Sequence, residues 1–586
     1  MGYYEANLRL LSLKEPILTR RLEWVRGLPP PKDHQIHFPI PDGIDLSRSN
    51  TVVVLGFGDG EHIREILKRI SRKGLVLVID PDIARFKYIL SSRDLSFCLS
   101  HPNISLSIGE SPVDATRKRL DDAYGINTIT EIEVISHPPS MRGREGYFRE
   151  VVRGLQDVAN SASHNLSTLS DSAKMWFANI LENLPSLMVY PGVKGLFGRF
   201  RGIPAFILGG GPSLDRHLHL LNDIKGRGLI IACDTALRTL SLDGIEPDLL
   251  LSLDGREESY RHFDGVGVRD SFLVAFSITH PRIISDFPGG VFMSDFPHPL
   301  NEYLSLFIGK KGYLKSGGSV TTACFDLARM CGANPIVFVG LDLAFPNDLT
   351  HSSATFYIEE MLSRIDRFHT LEMFHRERAR GEGRVWVEAV GGGKVATSRK
   401  LLAYLRWFEA EIGSSGDLIV INTGEEGARI KGTYDMKLEE VISKFCNKRH
   451  KIEETIRSVC LSYTSASSSS IRDGLKRLLG EFRDVDGLSK RGRICADHLI
   501  KLIDKGDTPN VGRIFGEISR LYREIISRDL FIQIGRFNLE PLLTRMEGAE
   551  RQDRMGRARL SQYFFGSINE YCHSAMKLVE KALENL

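Results

Sequence analysis

Three apolar runs in the middle of this chain each close on an aspartate. They are Gly228-Leu-Ile-Ile-Ala-Cys-Asp234, Pro247-Asp-Leu-Leu-Leu-Ser-Leu-Asp254 and Pro335-Ile-Val-Phe-Val-Gly-Leu-Asp342. A carboxylate at a strand end is costly unless it accepts hydroxyl or amine donors, holds a metal or caps the following turn. A fourth run, Ile203-Pro-Ala-Phe-Ile-Leu, ends instead in Gly209, Gly210 and Gly211, followed by Pro212 and Ser213. Glycines at a strand-to-helix turn carry no Cβ to keep a ligand off the backbone, and the free N–H groups of the helix start attract an anion. That suits a nucleotide phosphate, with Ser213 as a donor to it, as a helix cap, or as both. Ser316, Gly317, Gly318 and Ser319 open another helix and offer the same kind of backbone donors to a phosphate or a sugar carboxylate. Asp342 is expected to face a ribose or to orient the segment that follows it. On that segment His351 is the candidate general base, because imidazole titrates near neutral pH. A histidine that only binds or orients substrate is the alternative, and the base role would then pass to Asp254 or Glu388.

Apolar runs of this length alternating with helical stretches predict a parallel sheet covered on both faces. Its ligands belong at the carboxyl ends of the strands, where the glycines and aspartates fall. The charged stretch from Met361 to Arg384 predicts an insertion over those ends, and Asp417-Leu-Ile-Val-Ile-Asn-Thr-Gly424 a last strand. Nearer the N-terminus, Thr51-Val-Val-Val-Leu-Gly-Phe-Gly-Asp-Gly60, a helix and Leu75-Val-Leu-Val-Ile-Asp80 follow the plan of a dinucleotide or S-adenosylmethionine site. A Rossmann-like domain that keeps the turn for packing and binds nothing is the other reading. Before Asn50, Pro29 to Pro31 and Pro39 to Pro41 suggest small helices and extended linkers. Apolar spacing from Gly146 to Met188 predicts a helical connector, broken near Ser161 to Ser170. From Met436 onward the pattern is a helical bundle interrupted at Ser462 to Ser470 and at Gly480.

Gly-Gly-Gly-Pro-Ser-Leu-Asp215, the run from Asp234 to Asp254, Ser316-Gly-Gly-Ser-Val-Thr-Thr-Ala-Cys-Phe-Asp-Leu-Ala328 and Gly340-Leu-Asp-Leu-Ala-Phe345 with Thr350-His351, taken in order, resemble the motility accessory factor proteins. These are flagellin glycosyltransferases that use nonulosonic, sialic-acid-like sugars, and their central domain is related to a hydroxymethylpterin pyrophosphokinase-like family. The same blocks resemble, more distantly, bacterial sialyltransferases that use CMP-sialic acid. The resemblance covers Leu184 to Thr433 well and the flanks loosely. Thr423 and Gly424 depart from the family's Asn-Ala-Thr-Glu-Gly-Gly-Ala block. It implies an α/β chain: a central Rossmann-like, sialyltransferase-type domain, an N-terminal Rossmann-like domain and a C-terminal helical domain. The expected divisions are residues 1–145, 146–188, 189–435 and 436–586. By the same resemblance Gly209 to Ser213 lie at the nucleotide of a CMP-sugar donor, and Asp234 and Asp254 against cytidine and sugar. The acceptor is flagellin. The sialyltransferase base is a histidine on a later segment that has no counterpart here.

At 586 residues the chain exceeds the size at which one core stops growing, so several domains are expected. With 77 basic and 74 acidic residues the formal net charge is +3, which gives no bulk electrostatic case for nucleic acid. The first residues lack a signal-peptide pattern and no apolar run reaches the ~20 residues that span a bilayer. A cytoplasmic protein is expected. The eight cysteines form no C-x-x-C pair and are expected to be reduced core thiols. No cofactor is expected beyond the CMP-sugar itself, and a divalent metal is neither required nor excluded. Two other functions fit: a pyrophosphokinase moving diphosphate from ATP to a hydroxymethylpterin, and a non-catalytic export or chaperone factor for flagellin.

Overall fold

Valine and leucine dominate the runs at Thr51–Leu55 (β1) and Leu75–Asp80 (β2), and every residue in both is buried. Successive side chains of a strand point to opposite faces, so burial throughout requires cover on both sides. Val52 and Val54 join one core with Ile63 and Phe86, whereas Val53 and Leu55 join another with Phe148 and Val151. With Ile104–Ile108 (β3) and Ile132–Ser136 (β4) these strands form a parallel sheet of order β3-β2-β1-β4. Helices α1 (Tyr3–Lys14), α2 (Pro16–Trp24), α3 (Glu61–Arg69) and α4 (Ile83–Ser92) accompany it. The computed structural model describes residues 2–25, 46, 51–70, 75–101, 103–112, 114–118, 132–381, 383–506, 508–547 and 552–586. The proline runs at Pro29 to Pro31 and Pro39 to Pro41 lie outside them.

The chain divides into two compact units, Met1–Asp171 and Ser172–Leu586. One helix, α5 (Glu145–Glu182), contributes to both: Phe148, Val151 and Leu155 to a core of the first, Phe177, Ile180 and Leu181 to the core of the second. The break expected near Ser161 to Ser170 is absent. Residues 157–171 contain neither Gly nor Pro, so nothing in them removes a backbone donor or adds backbone freedom.

The second unit is built on an eight-stranded, wholly parallel sheet of order β14-β13-β10-β5-β6-β7-β8-β9. Its strands are β5 (Ala205–Leu208), β6 (Leu229–Cys233), β7 (Leu249–Ser252), β8 (Phe272–Phe276), β9 (Val291–Ser294), β10 (Ile336–Val339), β13 (Val420–Asn422) and β14 (Tyr434–Asp435). From β5 the chain adds β6 to β9 on one side, then returns to place β10, β13 and β14 on the other. Helices α6 (Leu214–Leu221), α7 (Pro299–Ile308) and α8 (Val320–Met330) connect strands. After β10 comes the expected insertion, with α9 (Phe356–Leu362), α10 (Leu371–Gly381) and an antiparallel hairpin of β11 (Arg384–Glu388) and β12 (Lys394–Ser398); α11 (Arg399–Gly413) leads back to the sheet.

The C-terminal helices include α12 (Ser468–Asp504), α13 (Thr508–Ile526), α14 (Asp529–Glu547) and α15 (Arg554–Glu584). Gly480, expected as an interruption, lies inside α12, and the helix ends only before Gly506, whose φ is +73°. A single interior glycine costs about 1 kcal/mol, too little to stop a helix that buries a continuous apolar face. Polar contacts fasten these helices to the sheet. Buried Lys311 donates from Nζ to Tyr190 O at 2.8 Å and to Tyr463 Oη at 2.6 Å, and Tyr303 Oη donates to Gly474 O at 2.8 Å. Burial lowers the Lys311 pKa to about 8. At the start of α7, His298 accepts from Leu300 N through Nδ1 at 3.1 Å while its ring meets Phe537 of α14 edge-on at 5.2 Å. All eight cysteines are free thiols. Among the described residues no helix is long and apolar enough to cross a membrane.

Candidate functional site at the strand ends

The glycine turn after β5 meets protein rather than open space. A Cβ on Gly209 would come 2.6 Å from Gly340 O, one on Gly210 2.8 Å from Thr235 Cγ2, and one on Gly211 would overlap Asp342 Oδ2. None of the three has a positive φ, so what they supply is close approach: Gly209 and Gly211 to the segment leaving β10, and Gly210 to Thr235 beyond β6. Their donors are committed as well. Gly209 N donates to Val339 O at 2.8 Å, Gly211 N to Gly340 O at 2.9 Å and Ser213 N to Asp342 Oδ2 at 2.9 Å. Of the anion cradle expected at Gly209 to Ser213, the N–H groups of Gly209, Gly211 and Ser213 are thus engaged in holding the turn to β10 and the residues that follow it. Nor does Ser213 cap α6 through its side chain. Pro212 sits between Gly211 and Ser213, partly buried.

What the turn does present is side-chain atoms. Ser213 Oγ and Asp215 Oδ1 after β5, His262 Nδ1 after β7, Ser277 Oγ and His280 Nδ1 after β8, and Asp342 Oδ1 after β10 are all buried without a hydrogen-bond partner. Left unmet by a ligand or water, a buried polar atom costs roughly 1–3 kcal/mol, and six of them collect at one end of one sheet. Backbone strain falls in the same place. Leu343, Asn347 and Asp348, immediately beyond Asp342, have φ of 49°, 54° and 62°. Such conformations cost of order 1–3 kcal/mol each and collect at functional sites.

Asp234 and Asp254, on neighbouring strands, differ in setting. Asp234 is buried and accepts from Thr235 N at 2.8 Å and from Ser252 Oγ at 2.9 Å; burial raises its pKa, with His262 opposing. Asp254 is half-exposed and accepts from Arg256 N at 3.0 Å. Asp342 is buried too, and burial raises its pKa against the Ser213 N–H and the Ser213 hydroxyl, which lies beside the carboxylate but outside hydrogen-bond geometry. The loops after β7 and β8 are fixed by α5. Asn179 Nδ2 donates to Gly255 O and Ile278 O, both at 2.9 Å, and Asn183 Nδ2 to Ser277 O at 3.0 Å and Thr279 O at 2.7 Å. Four residues apart, the two amides share one helix face.

Ser316 to Ser319 precede α8 as expected, but the turn is partly filled. Gly317 N donates to Thr322 Oγ1 at 2.9 Å, Gly318 O accepts from Tyr404 Oη at 2.8 Å, and the Trp407 indole lies against Gly317. Helix α8 packs against β6, and Cys324, one turn into it, has its thiol pKa raised by burial, then by Cys233 and Asp234 at the end of that strand. Among the described residues no three His, Cys, Asp or Glu side chains are grouped to hold a metal ion.

The segment after β10 is latched onto the glycine turn and forms a roof. Ser352 N donates to Gly210 O at 3.0 Å, Ser352 Oγ pairs with Thr239 Oγ1 at 2.6 Å, and Ser353 N donates to Asp215 Oδ2 at 2.9 Å. Buried His375 of α10 pairs with Thr350 Oγ1 at 3.0 Å, and Asp348 pairs with Arg384 at 2.9 Å and Arg376 at 3.4 Å. His351 lies within this assembly, its ring 4.6 Å from Tyr357 and its Nδ1 3.2 Å from Thr350 Oγ1. Burial, then Arg378, His262, His375 and Lys400, lower its pKa to about 3.

Several members of the site went unnoticed in the sequence. His262, Tyr357, Arg378 and His375 come from the loop after β7 and from the insertion; only a histidine eight residues past a strand-closing acid, Asp254 to His262, hinted at one of them.

Residues 178–348, which span β5 to β10 and include Asp342, match the family described as 6-hydroxymethylpterin diphosphokinase MptE-like. Uncharacterized proteins of Treponema pallidum (strain Nichols) are similar over shorter stretches. One is 24% identical over 170 residues, 29% of this chain and 56% of that protein. Another match is 32% identical over 88 residues, 15% of this chain and 40% of the relative. The chain thus spans little more than half the length of the first of these relatives. A structure titled as that of the MAf glycosyltransferase from Magnetospirillum magneticum AMB-1 superposes with a TM-score of 0.52 at 17% identity, covering 100% of this chain and 96% of that one. Over its whole length, then, this chain has the mixed α/β fold of a Maf glycosyltransferase, with an MptE-like segment at its centre.

Proposed function

We propose that this protein is a glycosyltransferase that moves a nonulosonic acid, a pseudaminic or legionaminic acid derivative, from a CMP-activated donor to Ser or Thr hydroxyls of flagellin. The work is done in the cytoplasm and supports flagellum assembly and motility. The observation that carries the reading is the set of six unpartnered buried polar atoms at the strand ends, beneath a latched roof. The likeness in fold to the Magnetospirillum glycosyltransferase supports it.

In this reading Asp342 Oδ1 and Ser213 Oγ meet hydroxyls of the nucleotide. Asp234 and Asp254 face the cytidine and sugar. Anionic groups of the donor lie toward the first turn of α8, whose N–H groups and dipole favour negative charge. The leaving group is already a phosphate, so binding, charge stabilisation and removal of one proton suffice for catalysis.

The family match over residues 178–348 favours a second reading, diphosphate transfer from ATP to a hydroxymethylpterin. Thermal shifts with CMP, CDP, ATP and S-adenosylmethionine separate the two, because a ligand held only by the folded state stabilises it by RT ln(1 + [L]/Kd), ~2.7 kcal/mol at a hundredfold excess over Kd. Stabilisation by CMP and CDP is expected. Stabilisation by ATP alone, with pterin turnover, would replace the first reading by the second.

A further inference from the structure

Two histidines, His262 and His351, stand over the strand ends in opposite electrostatic settings. His262 closes the short 3-10 segment Glu257–His262 after β7 and is 4% exposed. Its Nδ1 is shielded from solvent and has no hydrogen-bond partner. Its ring meets Phe356 edge-on at 4.6 Å and Tyr357 at 5.6 Å, so α9 is its roof. Asp234 and Asp254, at the ends of β6 and β7, favour its protonated form; Arg238 opposes it, and burial keeps the ring neutral at rest. Around His351 the charged neighbours are Arg378 and Lys400, with His262 and His375 beside them, and every one of these disfavours a further positive charge. Its Nδ1 is also engaged with Thr350 Oγ1.

A general base must start neutral, reach the proton and then carry a positive charge at little cost. We propose that His262 is the proton acceptor of the transfer reaction, with Asp234 as the carboxylate that stabilises its imidazolium, and that His351 holds the roof together instead. The assignment rests on the glycosyl-transfer reading above. In the step itself the acceptor O–H bond breaks and its proton passes to Nδ1 of His262. The hydroxyl oxygen bonds to the anomeric carbon of the donor. The bond from that carbon to the phosphate oxygen breaks, and its electron pair leaves on the nucleoside monophosphate. Atoms and charge balance without a further reactant.

The test uses the full chain, purified flagellin as acceptor, and CMP-pseudaminic, CMP-legionaminic and CMP-sialic acid as donors, with pH–rate profiles on whichever the wild type turns over. His262→Gln is expected to lower turnover ~10²–10⁴-fold and to lose the acidic limb of the profile, while its melting temperature and CMP-induced shift persist. His351→Gln should keep that limb. Asp234→Asn, which leaves the imidazole in place but removes its carboxylate, should move the limb to lower pH. A His262→Gln protein that keeps the limb, or a His351→Gln protein that loses it, overturns the assignment. If His262→Gln does not fold, Asp234→Asn decides: an unmoved limb rejects His262. A wild type that turns over none of the donors and is not stabilised by CMP removes the glycosyl-transfer reading itself, and the role of His262 with it.

Discussion

At Gly211 a single hydrogen separates a folded turn from a collision with Asp342. The same carboxylate accepts the Ser213 N–H and leaves Oδ1 unpartnered, so it holds the turn and faces the ligand at once. Gly211→Ala is therefore expected to lower stability by ~1–3 kcal/mol through overpacking, read as a fall in melting temperature, in addition to weakening nucleotide binding. A variant that loses nucleotide binding but melts with the wild type would show that the ligand, not Asp342, needs the space. Triple glycine was legible as a tight approach; what approaches was not. In sequence Gly209 and Gly340 lie 131 positions apart, and only the β5–β10 pairing brings them together. Asp234, Asp254 and Asp342 were legible because an acid closing an apolar run has few cheap positions. His262 and Arg378 were not, since a loop histidine and one arginine in a charged helix look like many solvated neighbours.

Among the elements, the turn after β1 shows how a cofactor-like pattern can be used for packing. Asp80, which closes β2, accepts from Phe57 N at 2.9 Å through one oxygen and from Asp82 N at 2.9 Å through the other. Gly58 lies against the His137 ring, with His62 stacked on it at 4.8 Å. Asp80→Ala should thus destabilise the N-terminal unit by ~1–3 kcal/mol, because one buried and one partly buried donor lose their acceptor. Glycosyl transfer per folded molecule should stay within a few-fold of wild type; a loss of several hundredfold in protein that melts normally would make this turn a ligand site. The roof gives a second expectation. His375→Ala frees α10 from Thr350, so trypsin should cut at Arg376, Arg378 or Arg380 faster than in the wild type, and saturating CMP-sugar should slow the cut. Equal rates would mean that the Asp348 ion pairs alone hold α10. Helix and strand types were readable from periodicity, yet the continuity of α5 and of α12 was not. In both cases local composition suggested a stop: in α5 the serine-rich stretch holds no Gly or Pro to enforce one, and in α12 burial of the helix face overrides Gly480.

For the molecule as a whole, buried histidine is expected to weaken stability in acid. Burial lowers the His298 pKa to about 3, against ~6.5 in an unfolded chain. The unfolded state therefore binds the extra proton first. The stability is fully present above pH ~6.5 and is lost as pH falls from there toward 3, at up to ~1.4 kcal/mol per pH unit. His298→Asn, which keeps a side-chain acceptor for Leu300 N, should flatten the decline of melting temperature between pH 6 and 4.5. An unchanged slope would place the acid sensitivity in other groups, His351 first among them.

The buried amine of Lys311 has a consequence for limited proteolysis. Tyr463, which accepts from it, sits on the exposed stretch between two C-terminal helices, and residues 464–470 are largely solvent-facing. Such stretches are where nicking concentrates. A cut there would sever the chain without freeing the pieces, because Tyr303 holds Gly474 across it and one apolar core contains residues on both sides, among them Val459 and Ile471. The nicked protein should elute as one particle on gel filtration and separate into two bands only in denaturant, behaving as a non-covalent heterodimer made from a single gene product.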